Sequence, residues 1–152
     1  IFSGLTMNTP SMLAVEDSLD TVKWAESIGG LDALIARSEE NLAVIEKWVA
    51  ARDWIEFLAK DPATRSCTSI CLSLTDKVPL DSEARKAAPK KIADLLEETG
   101  AAMDIKHYRD APPGLRIWAG STIETANLEA LLPWLDWAYD SVVRSFESTP
   151  NA

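Results

Sequence analysis

The sequence predicts an α/β layer structure, with a small, largely antiparallel sheet covered by helices in the order ααβαββα. Three observations carry that reading. Apolar residues recur at helical period over four long stretches, they alternate with polar residues over short stretches between, and Gly or Pro marks most of the switches from one pattern to the other. A chain of 152 residues has the length of one domain, or two small ones at most. Folding at this size hides about two-thirds of the surface that the unfolded chain exposes, so a core is attainable without disulfides or metal. A composition that is 47% hydrophobic and 26% charged, with six Trp, excludes a disordered chain, a collagen-like repeat and a coiled coil.

Asn8-Thr9-Pro10 reads as a helix start, with Thr9 as N-cap and Pro10 at the first helical position, where no backbone donor is needed. Met12, Val15, Leu19, Val22 and Trp24-Ala25 continue that helix, and Gly29-Gly30 stops it. Leu31, Leu34, Ile35, Leu42, Ile45 and Val49 mark a second helix of roughly 20 residues, expected to be the longest regular element. Trp54 to Leu58 is an apolar patch whose type periodicity does not settle, and Asp61-Pro62 breaks it. From Thr68 to Leu74, Ser69, Cys71 and Ser73 alternate with Ile70, Leu72 and Leu74, which predicts a strand with one buried face.

Asp81 opens a third helix that carries Ala84, Ala87, Ala88, Ile92, Leu95 and Leu96 and ends at Gly100, with Pro89 expected to delay or kink it. Met103, Ile105 and Tyr108 predict a second strand, Pro112-Pro113-Gly114 a turn, and Leu115 to Ala119 a third strand. The last helix has the clearest period: Leu128, Leu131, Leu132, Leu135, Val142, Val143 and Phe146 share a face, behind an N-cap among Thr125 to Asn127. Pro133 predicts a kink or a short separate first turn. The tail Ser148 to Ala152 is expected to fray.

A net charge of −9, from 24 acidic and 15 basic residues, opposes a nucleic-acid partner. No apolar run approaches the roughly 18 to 20 residues of a membrane span, and no basic start followed by an apolar stretch reads as a leader, so a cytoplasmic protein with no membrane partner is expected. The sequence opens at Ile1 with its first Met at position 7, which allows for a piece of something longer.

Few residues offer chemistry. Cys67 and Cys71, four apart on one face of a strand, would sit about 13 Å apart, too far for a disulfide. One His and two Cys do not assemble the usual zinc cluster, so no metal site is expected. Gly29-Gly30 lies between two helices and lacks the strand-then-helix context of a phosphate-binding loop. Glu39-Glu40 and Glu97-Glu98 read as solvated helix surface, and the six Trp as core and interface mass rather than a stacking platform. His107, a lone His beside Tyr108, reads first as a surface strand residue and second as a substrate-binding candidate.

Three features resist a purely structural reading. Asn8-Thr9 would offer polar side chains and free backbone donors to an anion at a helix N-terminus, the plainer alternative being a simple cap. Arg116 interrupts the apolar run Leu115-Arg116-Ile117-Trp118, where a guanidinium belongs only if it meets a carboxylate or phosphate or faces water from an edge strand. Arg109 precedes the Asp110 to Gly114 turn, the plainer alternative being a surface pair with Asp110.

These segments also carry a resemblance. Met7-Asn8-Thr9-Pro10-Ser11-Met12-Leu13, Trp24 through Gly29-Gly30-Leu31, Arg65-Ser66, Ala111 through Trp118, and Leu128-Glu129-Ala130-Leu131 together resemble the phosphoserine aminotransferase family, over its C-terminal third. The resemblance implies the small C-terminal domain of a class V, fold type I aminotransferase that uses pyridoxal 5′-phosphate (PLP) and works as a homodimer. Its reaction would pass an amino group from glutamate to 3-phosphohydroxypyruvate, giving phosphoserine and 2-oxoglutarate in serine biosynthesis. Asn8 and Thr9 match an Asn-Thr pair that reaches the PLP phosphate across the dimer. Arg116 matches the arginine that pairs with the substrate α-carboxylate. Arg109 falls near a His-Arg pair that holds the substrate phosphate in other branches, although here the spacing to Arg116 departs from that pattern and His107 is not adjacent to Arg109.

The resemblance also implies an absence. PLP chemistry needs a Schiff-base lysine, and in this family it lies N-terminal to everything here. None of Lys23, Lys47, Lys60, Lys77, Lys86, Lys90, Lys91 and Lys106 sits in its motif. The expected organisation is a linking segment over 1–30, the small domain over 31–147 and the tail over 148–152, inactive by itself. Two other readings stand beside it: a class V transaminase of the glyoxylate type, and a stand-alone dimerisation or binding module.

Overall fold

The computed structural model describes residues 8–147, so residues 1–7 of the linking segment and the tail expected to fray lie outside the described residues. The chain forms two compact units, Ile1–Ala36 and Arg37–Ala152.

In the first unit, α1 (Met12–Ser27) starts later than its sequence signal, because Ser11 rather than Thr9 is the N-cap: its Oγ accepts from the Ala14 N–H at 3.4 Å. Either side chain offers an oxygen, and the cap belongs to the one placed three residues before an open helical N–H. The helix closes where glycine predicts it, with Gly29 and Gly30 at φ 115° and 72°, conformations that glycine adopts without strain. Met12, Leu13, Val15, Leu19 and Val22 of α1 are exposed.

α2 (Gly30–Ala50) begins in the first unit and runs into the second, where Ile45, Trp48 and Val49 enter the core. The sheet is built from β1 (Ile55–Phe57), β2 (Ser69–Leu74) and β3 (Leu115–Trp118), all antiparallel in that spatial order. In β2, the central strand, Ile70 and Leu72 are buried while Ser69, Cys71 and Ser73 are only partly covered, the alternation that the sequence predicts. The ambiguous patch at Trp54 becomes β1, pairing Ile55 with Leu74 and Phe57 with Leu72. β2 starts at Ser69, so Cys67 lies before the strand rather than on its face; both thiols are free.

The strand expected over Met103 to Tyr108 does not form. Asp104 adopts φ 53°, which breaks the extended run, and this segment contributes only one bridge, Lys106 to Leu115. Ile105 is buried while Met103 and Tyr108 are exposed. The observed order is therefore ααββαβα, with a 3₁₀ turn at Pro62–Thr64.

α3 (Ser82–Glu98) packs against α4 (Thr125–Glu147) and against β2 and β3. Asp81 caps it as predicted, its carboxylate accepting from Ala84 N–H at 2.8 Å. Pro89 and Pro133 each remove one backbone bond, yet α3 and α4 both run through as single elements. Buried neighbours outweigh that loss: Ala88 and Ile92 flank Pro89, and Leu128 and Leu135 bracket Pro133. Because α4 survives its proline it reaches 23 residues, longer than the 21 of α2. Among the tryptophans, Trp48 and Trp54 are core, with Trp54 stacked on Tyr139 at 3.9 Å, while Trp118, Trp134 and Trp137 are exposed. Among the described residues no helix is long and apolar enough to cross a membrane.

A buried polar clamp ties α2 to the connection between β3 and α4. Asn41 is fully buried, and its Nδ2 donates towards the carbonyls of Ala119, Gly120 and Ile123 at 3.0 to 3.3 Å, while its Oδ1 accepts from Thr125 Oγ1 at 2.8 Å. Arg37 adds a bond to Ser121 O and an ion pair with Glu124. The loop leaving β3 is thus fixed from the side, which keeps the strand carrying Arg116 in place.

Candidate functional site

Alternation along β3 sends Leu115 and Ile117 into the core and leaves Arg116 on the opposite side, across from Cys71. An edge-strand arginine facing water is not what results: the Arg116 side chain is only 12% exposed. The segment after α3 folds over it. Nη2 donates to the main-chain oxygen of Asp104 at 3.2 Å and to Asp104 Oδ2 at 2.8 Å, and the Tyr108 ring lies 4.6 Å from Cζ. Nε is buried with no hydrogen-bond partner among the described residues. A covered guanidinium with an unused donor is an uncommon arrangement, and an incoming oxygen acid would complete it.

His107 stands beside it, Nδ1 lying 3.1 Å from Gly114 O and 3.5 Å from Gly114 N. Only glycine fits at 114, because a Cβ there would come within 2.2 Å of the Leu72 carbonyl oxygen. His107, Tyr108, Gly114 and Arg116 line a narrow cavity of about 30 Å³. Larger clefts lie elsewhere: one of about 310 Å³ beside Phe57, Arg65 and Cys71, and one of about 500 Å³ beside Trp48, Arg52 and Leu132. Neither contains any of the five residues singled out for binding.

Those five do not all converge. His107 and Arg116 share the small cavity, whereas Arg109 does not line it. The Arg109 side chain is 93% exposed and sits 3.8 Å from Asp110, which is the plain surface pair. Asn8 and Thr9 are exposed ahead of the Ser11 cap and belong to the other unit. Sequence reasoning missed Asp104 and Tyr108, the partners of Arg116. The one local signal was the residue type, since Asp is among the few non-glycine residues that enter the left-handed region.

Lys23, Lys47, Lys60, Lys77, Lys86, Lys90 and Lys91 are exposed and Lys106 is half-buried. Hydrogen bonds to Asp94 and Glu97 raise the pKa of Lys106, the opposite of what an amine nucleophile needs. Glu97, expected as plain solvated surface, is thereby engaged in an ion pair.

Comparison with known proteins finds the chain similar to part of several transaminases. No family model matches it. The chain is homologous to phosphoserine aminotransferases: it is 54% identical over 142 residues to the one from Methanosarcina mazei and 51% identical over 142 residues to the one from Methanosarcina barkeri, in each case over 93% of this chain. It spans about 36% of the length of these curated relatives, and a C-terminal portion fits that coverage. The fold is that of part of a solved phosphoserine aminotransferase from Bacillus circulans subsp. alkalophilus, with a TM-score of 0.73, 20% identity, and coverage of 88% of this chain and 34% of that one.

Proposed function

We propose that this chain is the C-terminal, substrate-orienting part of a cytoplasmic, homodimeric phosphoserine aminotransferase that interconverts glutamate and 3-phosphohydroxypyruvate with phosphoserine and 2-oxoglutarate. The observation that carries the reading is Arg116, a covered guanidinium on a rigid strand with a donor left over. Both amino acids of such a reaction present an α-carboxylate, and a planar guanidinium is the group that grips one with two parallel bonds.

Bound PLP would supply the electron sink for amino transfer. This chain would contribute binding and orientation: Arg116 would hold the α-carboxylate, and the exposed Asn8 and Thr9 would donate to the PLP phosphate across a dimer. His107, on the wall of the Arg116 cavity, is the candidate contact for the phosphate end of the substrate, and the exposed Arg109 would have to swing away from Asp110 to join it. The Schiff-base lysine would come from outside this chain, whose lysines are exposed except for the half-buried, ion-paired Lys106.

The test is the pair of half-reactions, with glutamate and with phosphoserine, for Arg116→Lys in the complete enzyme. Leaving a desolvated carboxylate without its two-pronged partner costs about 3–5 kcal/mol of transition-state binding, so both half-reactions should slow together. Activity within threefold of wild type for both amino acids would sink the assignment.

A further inference from the structure

Arg116 already holds a carboxylate, and it belongs to the protein. A guanidinium offers two edges that can grip a carboxylate with paired bonds, Nε with Nη2 and Nη1 with Nη2, so Nη2 is common to both. Asp104 meets Arg116 at that nitrogen, through its main-chain oxygen at 3.2 Å and through Oδ2 at 2.8 Å. Both acceptors converge on Nη2, the nitrogen that either edge needs for a complete pair. Tyr108 covers a face of the group at 4.6 Å, and a carboxylate pairs with a guanidinium in its plane, along one of those edges.

We propose that Asp104 is an internal counter-carboxylate, which occupies Arg116 until the substrate carboxylate displaces it and so sets the affinity of the site. This rests on the reading of Arg116 as the carboxylate anchor. Two features distinguish a displaceable occupant from a permanent brace. The Asp104 side chain is 86% exposed, so Oδ2 returns to water readily when released. Nε has no partner while Asp104 is in place, and a ligand oxygen on the Nε–Nη2 edge would give it one. The left-handed backbone at Asp104, φ 53°, is what aims both of its oxygens at one nitrogen from twelve residues away.

The experiment measures binding of glutarate, a dicarboxylate without an amino group to react, to the complete enzyme by calorimetry. Asp104→Asn keeps the side-chain shape and tolerates the left-handed backbone, and Asp104→Gly removes the side chain without strain. Both variants should bind glutarate two- to fivefold more tightly than wild type, the upper figure being about 1 kcal/mol, and should lower KM for glutamate and phosphoserine together. Unchanged or weaker glutarate binding in the variant that folds would overturn the proposal and make Asp104 a brace. Arg116→Gln separates the two readings. Loss of glutarate binding there, with no tightening in the Asp104 variants, refutes only the displacement; glutarate binding that survives Arg116→Gln refutes the anchor itself.

Discussion

Asn41→Ala is the substitution whose cost can be worked most directly from the structure. Asn41 is fully buried, and its amide serves the carbonyls of Ala119, Gly120 and Ile123 with two hydrogens while accepting from Thr125 Oγ1. Two donated bonds and one accepted bond, at about 1 kcal/mol each, come to about 3 kcal/mol. The space left behind adds roughly 1 kcal/mol, for an expected loss of about 4 kcal/mol. Asn41→Asp, nearly the same shape, should be at least as damaging, because a carboxylate has nothing to donate to three carbonyls. The assay is urea unfolding of the protein carrying each change, in a double-mutant cycle with Thr125→Ala, where a coupling of about 1 kcal/mol is expected. A loss below about 1 kcal/mol for Asn41→Ala would show that water or backbone adjustment replaces the clamp, and the reasoning would fail.

Gly114→Ala should destabilise by about 1–3 kcal/mol, because its Cβ would press on the backbone oxygen of Leu72 rather than on a side chain that can swing away; a thermal midpoint equal to wild type would contradict the crowding. The Lys106 network should show in the pH dependence of stability. Asp94 is held below its ordinary 3.8 by hydrogen bonds from Lys106 and then Lys90, so its contribution is present above that value and lost as pH falls through the folded pKa. Lys106 is raised above its ordinary 10.5 by Asp94 and Glu97, so its contribution is complete below that value and lost as pH climbs through the folded pKa. In Lys106→Met the urea midpoint should therefore fall less steeply than wild type on the acid side, and identical slopes would refute the coupling.

Elements held by neighbours in sequence were legible without coordinates. The spacing of Leu128, Leu135 and Val142, the alternation around Ile70 and Leu72, the Asp81 cap and the glycine stops at Gly29 and Gly100 all act within a few residues. Arg116 also stood out from sequence, because a charge between Leu115 and Ile117 needs either an acidic partner or an edge strand open to water, and only the fold decided between them. The identity of that partner did not stand out. Asp104 reaches it through a left-handed residue, and the same dihedral abolishes the strand that Met103 and Tyr108 outline. β1 is three residues long, too short for periodicity, and takes its form from pairing with Leu72 to Leu74. Asn41 reads as an ordinary polar helix residue until carbonyls 78 to 82 positions away close around it. Periodicity and capping are local energies and leave a local trace, whereas the clamp and the covered guanidinium depend on groups that meet only when the sheet and helices are assembled.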